Sequence, residues 1–339
     1  MSLRVVPGPV SHQEAVGSAA HHTLFRRVQV YFARTDDGAG GKFQTLRRGV
    51  KFWCRCWWKR ESLRASESVF RSGVLMKVAE DHPAVVLRPL RSYLRSGLNS
   101  EHRAQAVRSQ FDWLTATLPE AAIQRLYSGR PVSLLGVSSP VEGLGLSLSA
   151  AAHLGREGEL ALHLEWREVR VMSLAFSVLD ADLVVPRDTV AITGSRAVVG
   201  CLQGVRGAEL SLRALTAACQ RLRPSALLVT ALQGLSAAWA LQEALAVAAG
   251  SHVYARYGSR RRELRIDYDA AWRDSGAERV GRHYWMLPSH PTSRPESEVE
   301  SKRRAQHRRR HALRQALFMS VMSGAWELEC DGTGASVRA

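Results

Sequence analysis

Residues 157–180 read EGELALHLEWREVRVMSLAFSVLD, and this stretch decides the fold class. Two strand-like apolar runs flank Arg167-Glu168, which predicts a β-hairpin with strands near 159–166 and 169–179. Outward from it, further strand-like runs lie at 132–137, 145–153 and 197–203. Beyond them the period turns helical over 209–221 and 224–240. A strand is then expected over 244–249 and a short helix over 252–257. A meander followed by strand–helix–strand order predicts an α/β (α+β) fold with a mixed, largely antiparallel sheet. The sequence shows no internal repeat.

Upstream, residues 45–118 read as helical. Phe52, Trp53, Trp57, Leu63, Val69, Phe70, Val74 and Leu75 recur at helical spacing among Arg and Lys. Pro83 and Pro89 interrupt the run, and Asn99 or Ser100 is placed to cap a helix ending before Pro119. The tryptophans of RRGVKFWCRCWWKR (47–60) suit either a membrane interface or a core-packing helix with basic edges, and the core reading is preferred. Residues 1–42 hold Pro7, Pro9 and the DDGAGG turn, and read as a poorly ordered extension with a short helix near 23–33. The expected organisation is therefore an extension (1–42), a helical region (43–127), a mixed α/β domain (128–322) and a tail (323–339). A long helix is expected over 297–322.

Apolar residues make up 45% of the 339, ample for a packed core, yet no run is long enough for a membrane span. The N-terminus lacks a basic region followed by an apolar core, so no secretory signal is expected. The five cysteines are too few and too scattered for a disulfide framework, and Cys54 and Cys56 lack a second ligand pair for zinc. No metal site is expected. The formal net charge of +16 attracts polyanions: a phosphate-bearing cofactor, a lipid headgroup or a nucleic acid. An Arg- and Ala-rich composition is equally what a GC-rich genome produces.

Four segments are candidates for chemistry. At Gln203-Gly204-Val205-Arg206-Gly207-Ala208 a strand passes through glycines into a helix, a layout that lets free amides meet a phosphate. A plain turn is the competing reading. In RIDYDAAW (265–272), Asp267 and Asp269 either form a polar site, with His283 approaching them, or cap a helix and pair with arginines. Tyr254 and Tyr257 carry hydroxyls suited to general acid work or to packing. The block SKRRAQHRRRH (301–311) puts Lys302, Arg303, Arg308, Arg309 and Arg310 on a helix. It reads as a polyanion grip or as a solvated face.

In order, VGCLQGVRG (199–207), QRLRPSALLVTAL (220–232), ALAVAAGSHVYARY (244–257), RIDYDAAW, YWMLP (284–288) and SKRRAQHRRRH resemble the VirK/YbjX family of bacterial proteins. That family is also catalogued as DUF535. LRPLRSYLRSGL (87–98) extends the resemblance into the first half. It implies kinship without a defined reaction, and a link to virulence and to envelope or antimicrobial-peptide stress. The sparse cysteines suit a reducing cytoplasm, so a cytoplasmic protein, at most peripheral to the inner membrane, is expected.

The turn at 203–208 resembles the pyrophosphate loop of GNAT-type acetyltransferases, with Arg206 standing where that loop has its first glycine. This second resemblance implies coenzyme A or an acyl-CoA held near Gln203, Gly204, Arg206 and Gly207. It also implies a tyrosine, here Tyr254 or Tyr257, that protonates the leaving thiolate. Asp267, Asp269, Tyr254 and His283 are the catalytic candidates of an acyl- or aminoacyl-transferase. The alternative is a non-enzymatic factor that binds an anionic surface through the basic helix. The transferase reading requires two strands that part near Gln203.

Overall fold

The computed structural model describes residues 42–135, 139–183, 194–255 and 266–330. They begin with α1 (Lys42–Trp58) and α2 (Arg60–Glu67). Phe52 and Cys56, four apart on α1, are buried with Leu63, Leu87 and Leu90 in a small cluster beside the main core. The indoles of α1 point the other way: Trp57 is 72% and Trp58 85% exposed, which overturns the core reading for these residues.

Helices α3 (Gly73–Asp81), α4 (Ser100–Thr117) and α5 (Glu120–Tyr127) follow. Asn99 caps α4, its side chain accepting from the His102 amide at 2.8 Å, an interaction that contributes about 1 kcal/mol.

The strands are β1 (Val132–Ser133), β2 (Leu144–Ala150), β3 (Leu160–Trp166), β4 (Val169–Asp180) and β5 (Ser195–Gly204). Helices α6 (Glu209–Ala218) and α7 (Pro224–Ala238) then lead to β6 (Gln242–Val247). After α8 (Tyr268–Asp274) come β7 (Glu278–Val280), β8 (Tyr284–Met286) and the long α9 (Ser301–Cys330). The described strands form one sheet in the order β1-β2-β3-β4-β5-β6-β8-β7. Among the described strands only β5 and β6 pair in parallel. The α/β class with a mixed, largely antiparallel sheet is therefore the observed one.

The decisive hairpin forms as its pattern predicts, with Trp166 opposite Val169. Arg167 and Glu168 both take positive φ, the left-handed conformation that two-residue hairpin turns demand. Every residue from Val171 to Leu179 is buried, so both faces of β4 are covered. The helical half and the sheet share one apolar core: Val78 and Phe111 belong to the same cluster as Leu162 and Phe176. Close approach of α9 depends on glycine. A Cβ at Gly234 would stand 2.7 Å from the Phe318 carbonyl, and one at Gly324 would press on that of Leu134.

Three expectations shift. The strand expected to reach residue 153 stops at Ala150, where the chain turns back on itself through Ala151–Leu154. No helix forms over 252–255; Ala249–Ser251 makes one 3-10 turn instead. The long helix starts at Ser301 and runs to Cys330, into the segment expected to be a tail. The extension before Lys42, the helix near 23–33 and Tyr257 lie outside the described residues.

Candidate functional site

The parallel strands part in the middle of the sheet. Pairing between β5 and β6 covers Arg196, Val198 and Val199 and ends opposite Ala246. Strand β5 continues to Gly204, still paired with β4 at Met172. The two carboxyl ends are thus free of each other over the last residues of β5. That is the place where parallel sheets bind ligands, beyond the C-terminal ends of their strands.

The turn that leaves β5 is open. Gln203, Gly204, Val205, Arg206 and Gly207 are all exposed, and a Cβ at Gly204 or Gly207 would meet nothing within 4 Å. Gly207 adopts φ +84°, which a side chain tolerates poorly. Its amide donates to Glu209 Oε1 at 3.3 Å, so the turn already presents an N–H to a carboxylate oxygen. Helix α6 begins two residues later.

Two aromatic side chains of α8 reach into the strand gap. The Tyr268 hydroxyl donates to the Leu202 carbonyl of β5 at 3.0 Å. The Trp272 indole donates to the Val247 carbonyl of β6 at 3.0 Å. Burial, then the neighbouring Cys201 and Glu157, push the Tyr268 phenol well above its ordinary pKa, so it stays protonated. His252 stacks on Tyr268 with centroids 5.0 Å apart, and Tyr254 lies 5.6 Å beyond His252. The Arg156 guanidinium covers the outer face of Tyr254 at 5.8 Å. The result is a column of three rings from the β5 backbone to the half-buried Arg156 guanidinium. Burial holds His252 neutral, its pKa lowered to about 4, and its Nε2 has no hydrogen-bond partner among the described residues.

The acidic pair divides its labour. Asp267 is the N-cap of α8, accepting from the Ala270 amide at 3.0 Å. Asp269 Oδ1 accepts from the Ala249 amide at 3.0 Å and the Trp285 indole at 2.8 Å, and Arg279 lies 3.6 Å away. Asp269 therefore ties the start of α8 to the ends of β6 and β8. His283 comes to the same corner, where its carbonyl accepts from Ala248 and its Nδ1 meets Ser251 Oγ at 2.8 Å. Among the described residues no group of three His, Cys, Asp or Glu is placed to hold a metal.

The basic block of α9 works elsewhere. Arg310 donates to the carbonyls of Gln220 and Arg221, beyond the end of α6. Arg308 pairs with Glu296 at 3.2 Å, and both Lys302 and Arg303 lie 3.5 Å from Glu300. Arg309 is exposed.

Tyr268 is the residue that sequence reading passed over. In the sequence it stands between the two candidate aspartates. The signal was its place as the first residue of the helix after β6, one position beyond a capping Asp.

These features define a helix-flanked mixed α/β protein with one parallel strand pair that opens at its carboxyl end. Residues 41–323 match the family described as Protein of unknown function (DUF535), and the chain belongs to that family, the VirK/YbjX group of the resemblance. No curated protein and no solved structure matches it.

Proposed function

We propose that the opening between β5 and β6 receives the arm of a coenzyme A-type thioester and that the protein is an acyl- or aminoacyl-transferase. The carrying observation is the end of parallel pairing at Val199 and Ala246, while β5 runs on to an exposed glycine turn that starts α6. Gly204 and Gly207 leave room for a phosphate to approach the backbone, and Arg206 adds charge beside it. Glu209 is the local competitor, since its carboxylate already accepts from the Gly207 amide. Bound there, the ligand supplies an acyl group on a good leaving thiolate.

Tyr268 is suited to donate a hydrogen bond to the charge that develops on the leaving thiolate. Burial keeps its phenol protonated, so it stabilises that charge without giving up its proton, and the proton lost by the acylated acceptor goes to the thiolate. An amide of the ligand arm that reaches the Leu202 carbonyl would take the place the Tyr268 hydroxyl now fills, freeing that hydroxyl to donate elsewhere. The acceptor would belong to the envelope or stress setting that the family resemblance implies.

Calorimetric titration with acetyl-coenzyme A is the test. Saturable binding is expected, weakened about ten-fold or more by Arg206→Glu, which sets a carboxylate against the phosphates. No heat at about millimolar ligand, well above the affinities usual for such substrates, removes the reading.

A further inference from the structure

A pocket lies between the turn that follows α3 and the end of β2. Its volume is about 210 Å³, and Pro83, Ala84, Val85 and Ala151 give it walls whose side chains hold no donor or acceptor. Asp81 and Ala152 of its lining are exposed, so it opens to solvent there. Three further polar residues line it, Arg88, Glu159 and Tyr127, one half-buried and two buried.

The polar end is built but not saturated. Arg88 spends Nε and Nη2 on the Glu159 carboxylate, at 2.6 and 3.1 Å, and Nη1 takes no part in that pair. The Tyr127 hydroxyl is buried and has no hydrogen-bond partner among the described residues. Burial, then Glu159, raises the pKa of this phenol well above its ordinary value, and Arg88 opposes them. The hydroxyl therefore sits within reach of both charges and remains a donor. His82 fixes Tyr127 in place, its Nε2 standing 2.7 Å from the Tyr127 carbonyl. A buried hydroxyl without a partner is costly, and the adjoining pocket is the space from which a partner can come.

Size and charge narrow the choice of partner. Water needs two to four polar contacts to be held, and hydrocarbon walls supply none. A cavity of about 150 Å³ with such walls holds benzene, so this pocket has room for a ring with one small substituent. The lining has two carboxylates, Asp81 and Glu159, and one guanidinium that is already paired. An anionic substituent would add to that negative excess in a partly buried place. A neutral acceptor answers the hydroxyl without that cost.

We infer that this pocket binds a small neutral carbonyl compound, an amide or a ketone on a ring-sized apolar body, whose oxygen accepts from the Tyr127 hydroxyl and from Arg88 Nη1. None of the lining residues belongs to β5 or β6, so the site stands apart from the strand gap and does not depend on the transferase reading.

Ligand-observed NMR titration of the full chain with benzamide, benzoate and toluene tests this assignment. The three share a ring; the first adds a neutral carbonyl, the second a charge and the third no acceptor. Saturable binding of benzamide is expected, with an affinity of about millimolar for so small a molecule. Benzoate and toluene should each bind about five-fold more weakly or worse. Tyr127→Phe removes the hydroxyl alone. It should weaken benzamide about five-fold, leave toluene unchanged and keep a thermal midpoint no lower than that of the wild type. Ala84→Leu, at a half-buried wall position, should weaken all three by filling the space. No benzamide binding at about 10 mM overturns the inference, and that is the result if the pocket holds water alone. So does benzamide binding that is undiminished in Tyr127→Phe or in Ala84→Leu, and so does benzoate binding more tightly than benzamide.

Discussion

The buried imidazoles give this protein an acid-sensitive core. His163 bridges Ser149 and Ser173 on neighbouring strands at 2.8 Å each. Burial, then Arg170 and His153, lowers its pKa to about 3, and burial alone lowers that of His252 to about 4. Both groups are neutral in the folded protein at pH values where the unfolded chain has begun to protonate them. Stability from these histidines is therefore complete above the ordinary value of 6.5. It is lost as pH falls from there toward 4 and 3, at about 1.4 kcal/mol per pH unit for each group. In urea unfolding at a series of pH values, His163→Gln should flatten the loss below pH 6.5. An unchanged slope would mean that His163 does not set it. Neither histidine announced this role in the sequence. Alternation places His163 on one face of a strand, but only the partner strands show that serines flank it on both sides.

The elements were legible where periodicity was sustained. Residues 157–180 gave the hairpin and 209–238 gave two helices, because alternation and helical spacing persist there over many residues. The strands β7 and β8 have three residues each, too few for any period to show. Helix α1 misled for another reason. It carries two apolar pairs at i and i+4, Phe52 with Cys56 and Trp53 with Trp57, one residue out of phase. Nothing within the helix selects the inward pair; Leu63, Leu87 and Leu90 do. The Asp267 and Asp269 pair supports both readings in sequence, and the start of α8 at Tyr268 makes Asp267 a cap.

A long-range ion pair belongs to the same scale. Arg88, on the 3-10 turn before α4, meets Glu159 beside β3 in a bidentate bond, 2.6 Å at Nε and 3.1 Å at Nη2. Glu159 is 2% exposed, so removing Arg88 leaves a buried charge alone. Arg88→Met should cost about 3–5 kcal/mol in chemical denaturation, and Arg88→Met with Glu159→Leu distinctly less. Equal losses for both would show that the pair does not act as a unit.

Across the whole molecule, charge and topology point to different surfaces. The net charge of +16 attracts polyanions without choosing a place, and the sequence suggested the block on α9. In the fold, Arg308 and Arg310 of that block are engaged with Glu296 and with backbone carbonyls, while cations from α1, the segment after the 3-10 turn, α4 and the loop before β3 line one cleft. Residues so far apart in sequence cannot be grouped before the helical layer folds onto the sheet. The strand gap is likewise a property of the whole sheet, because it requires β5 to stay with β4 while β6 turns to β8. Hydrogen exchange of the backbone amides with and without coenzyme A tests the gap most directly. Slower exchange is predicted at Arg206 to Leu210 and at Ala248 to Ser251, where the two strands release their ends. Unchanged exchange at both segments under saturating ligand would contradict it.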